Sequence, residues 1–204
     1  SYRYQWLYDG ISRLASLSVG GETRFRELGL KGLTIKQNTQ ILDLCCGSGQ
    51  GTNVLVKYSQ NVTGLDASPV SINRAKKNVP SAKYVEAFAE DMPFSNNEFD
   101  LVHTSAALHE MNYEQLQQIL QEVYRILKPS GIFTFVDFHS PTNLCFWPGF
   151  AIFLWLFETE TSWSFINTNI LELLKKVGFN LVDTDSPLPV LYAGGSLQVV
   201  QVKK

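Results

Sequence analysis

The chain has 204 residues, 45% of them hydrophobic, enough for one domain with a full core and too apolar for a disordered segment. Its formal charge of −2 leaves no basic surface to attract a phosphate backbone, so nucleic acid is not an expected partner. Cys45 and Cys46 are adjacent and Cys145 lies far off, a pattern that fits neither a disulfide framework nor a metal knuckle; with no leader-like start and no run of about 18 apolar residues, the expectation is a soluble protein of the reducing cytoplasm. Taken in chain order, residues 1–35 read as an N-terminal helical cap, and β-type runs then fall at 40–44, 62–66, 83–87, 99–104 and 131–138. Helical patterns alternate with them. One helix begins after "DASP", where Ser68 caps and Pro69 takes the first helical position, and ends near Asn78. Another carries Leu116, Ile119, Leu120, Val123, Ile126 and Leu127 at helical spacing and stops at Pro129 and Gly131. Helix, strand and strand close the chain as "INTNILELLKKVGF", "NLVDTDS" and "SLQVVQV". This alternation is that of one α/β domain over 1–204 built on a parallel sheet.

The first strand runs into "ILDLCCGSGQGT", residues 41–52, where three glycines make a bare turn ahead of a helix. Such a turn lets a ligand approach the backbone closely. A dinucleotide fingerprint anchored at Gly47 and Gly49 would want glycine at 52, but Thr52 stands there and Gly51 is one place early. Asp66, at the end of the second strand, can accept hydrogen bonds from a ribose diol in a dinucleotide or in S-adenosylmethionine, or cap the following helix, and does not discriminate. Asp43 does: a carboxylate directly before the turn repels a pyrophosphate and attracts an ammonium or sulfonium. Its other reading is a side chain that hydrogen-bonds loop amides.

The segments "ILDLCCGSGQGT", "VTGLDASPVSINRAKKN", "AEDMPFSNNEFDLVHTSAALHEM" and "LKPSGIFTFVDF" resemble, in order, the motifs of the class I S-adenosylmethionine-dependent methyltransferases, and within them the branch of the ubiquinone and menaquinone C-methyltransferases. The resemblance covers residues 35–204 and implies a Rossmann-like seven-stranded sheet of order 3-2-1-4-5-7-6, strand seven antiparallel, with helices on both faces. It implies that Asp43, Gly47 and Gly49 hold the methionine part of S-adenosylmethionine, with Cys45 beside them, and that Asp66 holds the ribose hydroxyls. Ala67 and Ser68 border the adenine, and Ala89 and Glu90 lie along the loop that reads its edge. The chain departs from many relatives at Phe88, where an aspartate meets the adenine amino group, leaving Glu90 or water for that task. S-adenosylhomocysteine is the implied product.

Methyl transfer needs alignment and a dry site, and an acceptor hydroxyl or enolisable carbon must lose a proton. His109, just past the fourth strand, is the candidate base, with a structural loop histidine as the alternative; His103 reads as packed in its strand and His139 as a weaker base. Tyr113 and Glu110 are near enough in sequence to orient His109 or a substrate. "HTSAAL" follows the fourth strand where enzymes that methylate amides and base amines carry Asn- or Asp-Pro-Pro-aromatic, which disfavours such substrates. An apolar lid insertion over 138–165, centred on "LCFWPGFAIFLWLF", points to a small hydrophobic metabolite, a prenylated quinone-type ring foremost, although the run also reads as a core helix or as a peripheral membrane contact. Tyr8 faces the pocket or packs. The expected activity is methyl transfer to carbon or oxygen. The rivals are a protein that binds S-adenosylmethionine without transferring methyl groups and, more distantly, a nicotinamide oxidoreductase.

Overall fold

In the computed structural model, which describes residues 19–157, 160–182 and 189–204, the apolar runs of the sequence pair as the central strands of one mixed sheet. The strands are β1 (Ile41–Leu44), β2 (Val62–Asp66), β3 (Lys83–Glu86), β4 (Phe99–Ser105), β5 (Leu127–Phe138), β6 (Asn180–Leu181), β7 (Val190–Tyr192) and β8 (Leu197–Lys203). Their order is β3-β2-β1-β4-β5-β8-β6, with β7 paired to β8. The first five are mutually parallel, and β8 runs antiparallel to β5. With β8 counted as the seventh strand, this is the implied order. β1 is buried along its whole length because helices cover both faces, which is why "ILDL" reads as a continuous apolar run apart from Asp43.

Side chains alternate between two layers. Leu42, Leu44, Val102, Phe133 and Phe135 meet the apolar faces of α4 (Tyr113–Ile126) and α7 (Ile170–Val177). Ile41, Leu101 and Ile132 point the other way, onto α2 (Gln50–Leu55) and Leu30 of the 3-10 turn Leu28–Leu30, which follows α1 (Glu22–Glu27). Ser68 caps α3 (Pro69–Asn78) by accepting from Ser71 N, as expected, and Asn112 and Gln115 form a capping box on α4.

Three boundaries differ from the sequence reading. α4 ends at Ile126, ahead of the stop expected at Pro129 and Gly131: Leu127 is already extended and opens β5, and Pro129, with no N–H to donate, keeps the helix from running on. Of the strand expected in "NLVDTDS", Asn180–Leu181 is seen, and residues 183–188 lie outside those described. β7 was not anticipated: three residues beside two prolines carry too weak a pattern, and their pairing to β8 supplies the structure. The 138–165 insertion folds as α5 (Trp147–Phe157) and α6 (Glu160–Ile166). The core-helix reading of its apolar run fails, for Leu154 is buried but Leu144, Ile152 and Trp155 are 79%, 58% and 77% exposed. Of the N-terminal cap, residues 1–18, including Tyr8, fall outside the described part.

Candidate active site

Beyond β1 the backbone takes positive φ at Cys45 (56°), Gly47 (54°) and Gly49 (90°), so the chain reverses within five residues and two of the three strained positions are glycine. The third glycine has a different reason. A Cβ on Gly51 would lie 2.9 Å from Asp43 Oδ1, so the start of α2 sits directly on that carboxylate. Asp43 is 2% exposed; its Oδ2 accepts from Thr52 Oγ1 at 2.7 Å and its Oδ1 lies 3.3 Å from His103 Nδ1. Its partners are therefore a hydroxyl and an imidazole, not the loop amides of the alternative reading.

Asp66 closes the turn from the neighbouring strand. One oxygen accepts from Gly47 N at 2.8 Å and the other from Ser68 N at 2.9 Å, so the carboxylate fixes the glycine turn against the loop leading to α3. Ser68, not Asp66, caps that helix. Each oxygen keeps a lone pair for a further donor. Cys45 reports the local field: burial, then the negative charges of Asp66, Glu110, Asp43 and Glu90, pushes its thiol well above the ordinary range. Burial and the same two aspartates also raise Cys46, so neither cysteine is a thiolate nucleophile. The turn is a place of negative potential.

Ala67, just after β2, and Phe88, just after β3, lie at the surface, Phe88 at 68% exposure, while Ala89 turns its side chain into the main core. Any contact of Ala89 with a ligand is thus through its backbone. Glu90 Oε1 accepts from Gln115 Nε2 at 2.8 Å. Glu122 accepts from Met92 N, and Arg125 donates to the carbonyls of Met92 and Phe94, so α4 carries this loop.

At the carboxyl ends of β4 and β5 a second constellation appears. His109 is fully buried, and its Nδ1 lies 2.6 Å from Oδ1 of Asp137, itself 1% exposed. Asp137 also accepts from the backbone N–H groups of Ala107, Leu108 and Phe138. A carboxylate held by three amides is a fixed acceptor, so it favours the tautomer that carries the His109 proton on Nδ1. The Phe138 ring lies 4.3 Å from the imidazole, and Phe150 and Phe153 of α5 set their edges against Phe138. Ser162 Oγ of α6 donates to His109 O at 3.5 Å. The apolar insertion is the roof of this pair.

Asp137 was missed by the sequence reading. Its signal was a lone carboxylate inside "FTFVDF", since a charge in a buried strand needs a partner. Thr52 was noted only as an unwanted residue, and His103 as packing. His139 Nδ1 faces the carbonyls of Ser140 and Gly195, which accounts for it as a structural donor. Tyr113 is 44% exposed at the start of α4. Among the described residues no group of three His, Cys, Asp or Glu side chains is placed to hold a metal, and no helix is long and apolar enough to cross a membrane. A cavity of about 560 Å³ lined by Val19, Arg24, Glu27, Lys31, Tyr58 and Tyr192 shares no residue with either constellation.

Residues 41–131 match the family model described as a methyltransferase domain. The chain is 55% identical over 203 residues to an uncharacterized methyltransferase of Synechocystis, covering 100% of this chain and 93% of that protein. It is 30% identical over 201 residues to a demethylmenaquinone methyltransferase of Lactobacillus johnsonii, covering 86% and 81%. A crystal structure of a TehB-like SAM-dependent methyltransferase from Corynebacterium glutamicum superposes with a TM-score of 0.68 at 20% identity, over 100% of both chains, which shows the shared fold.

Proposed function

The chain belongs to the S-adenosylmethionine-dependent methyltransferases, and we propose that within this family it methylates carbon or oxygen of a small hydrophobic, quinone-like metabolite, with His109 as the base. S-adenosylmethionine, the cofactor of the family, supplies an electrophilic methyl group when bound. The residues present fit it: buried Asp43 and half-buried Asp66 give the glycine turn the negative potential a cationic ligand needs, and Gly47 and Gly49 leave the backbone bare. Asp43, Cys45, Gly47 and Gly49 would hold its methionine part, and Asp66 its ribose hydroxyls. Ala67, Ser68, Phe88, Ala89 and Glu90 would frame the adenine.

The observation that carries the acceptor side is the His109–Asp137 pair under an aromatic roof. Asp137 orients the imidazole and stabilises the imidazolium formed when Nε2 takes a proton. Phe138, Phe150 and Phe153 exclude water from that step and offer an apolar surface to a ring. The name of the Lactobacillus relative, a demethylmenaquinone methyltransferase, supports a quinol acceptor for this chain as well. The test is transfer of a labelled methyl group from S-adenosylmethionine to a panel holding prenylated hydroquinones, polar phenols and amines. Label in the hydroquinones, lost in His109→Ala with cofactor affinity retained, is expected. Label in the polar acceptors alone would refute the acceptor class, and cofactor binding without transfer to any acceptor would favour a binding protein.

A further inference from the structure

Four polar side chains stand in register across the buried sheet. Asp43 of β1 is beside His103 of β4, His103 beside Thr134 of β5, and Thr134 beside Gln201 of β8. All four are buried, on a layer that also packs Ile41, Leu101, Ile132 and Val136. Polar groups in such a place cost several kcal/mol unless each finds a partner, so their partners show what the row does. At one end Asp43 reaches the cofactor turn through Thr52. At the other, Thr134 Oγ1 and Gln201 Nε2 both donate to Gly29 O, at 2.7 and 2.9 Å, and Gln201 Nε2 also donates to Lys31 O.

His103 joins the two ends. A Cβ on Gly29 would lie 3.0 Å from Thr134 Oγ1 and 3.4 Å from His103 Cδ2, so the backbone of the Leu28–Leu30 turn rests against the imidazole. That ring sets its Nδ1 against Asp43, while its buried Nε2 has no hydrogen-bond partner among the described residues. A histidine kept only to fill space would not leave a buried nitrogen bare, a cost that a leucine would avoid. Without His103, Asp43 would keep Thr52 as its side-chain hydrogen-bond partner.

We infer that His103 is a positioning residue for cofactor binding: clamped by the Leu28–Leu30 turn at Gly29, it holds Asp43 in the orientation that serves the cofactor's ammonium end. The inference rests on the proposed role of Asp43. Asparagine places an amide nitrogen where Nδ1 stands, whereas glutamine places it near Nε2 and away from Asp43, and both are polar enough to keep the fold comparable. Dissociation constants for S-adenosylhomocysteine by calorimetry on the full chain, with unfolding midpoints of the ligand-free variants, then decide. His103→Asn should bind within about twofold of wild type and His103→Gln about tenfold more weakly, the weight of one hydrogen bond to a charged group. In turnover the glutamine variant should raise the KM for S-adenosylmethionine and leave kcat unchanged. Gly29→Ala, which touches neither Asp43 nor the 45–51 turn, should weaken binding about threefold by displacing the ring, a fraction of one such bond.

Equal affinity of the asparagine and glutamine variants, at either level, overturns the inference, because ring shape rather than the Nδ1 bond would then matter. Normal binding by Gly29→Ala overturns the clamp. Asp43→Asn separates the two levels of the claim. If it binds normally, the assignment of Asp43 to the cofactor fails; if it binds weakly while His103→Gln does not, only the role of His103 fails.

Discussion

Two buried histidine–aspartate pairs lie on neighbouring strands, and they are built in opposite ways. In the pair at β4 and β5, Asp137 is saturated by three backbone amides and sits 2.6 Å from His109 Nδ1, so the carboxylate is the fixed part and the imidazole the working part. In the pair at β1 and β4, Asp43 takes one hydroxyl and a longer 3.3 Å contact from His103, which leaves the carboxylate able to act on a third group. The count of other donors on the carboxylate tells how firmly it is fixed. On the proposed reading, proton transfer falls to the β4–β5 end and charge recognition to the β1–β2 end.

The largest effect that would break this division is on turnover. Asp137→Asn should lower kcat by about a thousandfold, within the range a positioned base contributes, while the dissociation constant for S-adenosylhomocysteine stays unchanged. Loss of cofactor affinity instead would mean that the two ends are one site with shared roles. Next comes Asp66→Ala, which removes the acceptor of Gly47 N and Ser68 N and should weaken cofactor binding about a hundredfold in calorimetry. Gly51→Ala forces a methyl onto Asp43 and should cost about 2 kcal/mol, lowering the unfolding midpoint by roughly 4 to 8 °C as read by circular dichroism. An unchanged midpoint would show that the turn yields freely there.

The smallest effect concerns the support of the Ala89–Phe94 loop. The Glu122 carboxyl is held below its ordinary 4.5, first by the hydrogen bond from Arg125, against the opposing effect of burial. A depressed carboxyl contributes its stability in full above the unfolded value and loses it as pH falls through the folded one. The Glu122–Arg125 pair is partly exposed and screened, so Glu122→Gln should cost about 0.5 kcal/mol at pH 7 in denaturant titrations. That gap should close as the pH drops below about 4.5. A gap that widened in acid would reverse the assigned sign.

Much of the fold was legible because parallel central strands are buried on both faces and appear as short unbroken apolar runs between turn residues. β7 was not, since a three-residue strand is defined by its pairing to β8 rather than by its own pattern. At the proposed site, Asp43 and Asp66 stood out in the sequence by their place at strand ends, and the structure sets both against the 45–51 turn. Thr52, His103 and Asp137 did not, because each acquires its meaning from a contact set by register: His103 meets Asp43 only when β4 lies beside β1, and Asp137 meets His109 only when β5 lies beside β4. The apolar run over 144–157 was visible as such, but periodicity could not tell a roof from a core.

A crystal structure with S-adenosylhomocysteine tests the central division most directly. The account predicts the amino end of the ligand beside Asp43, its ribose hydroxyls on Asp66, and its sulfur facing the His109–Asp137 pair. A ligand whose sulfur points away from His109, or one seated outside the 45–51 turn, would contradict it.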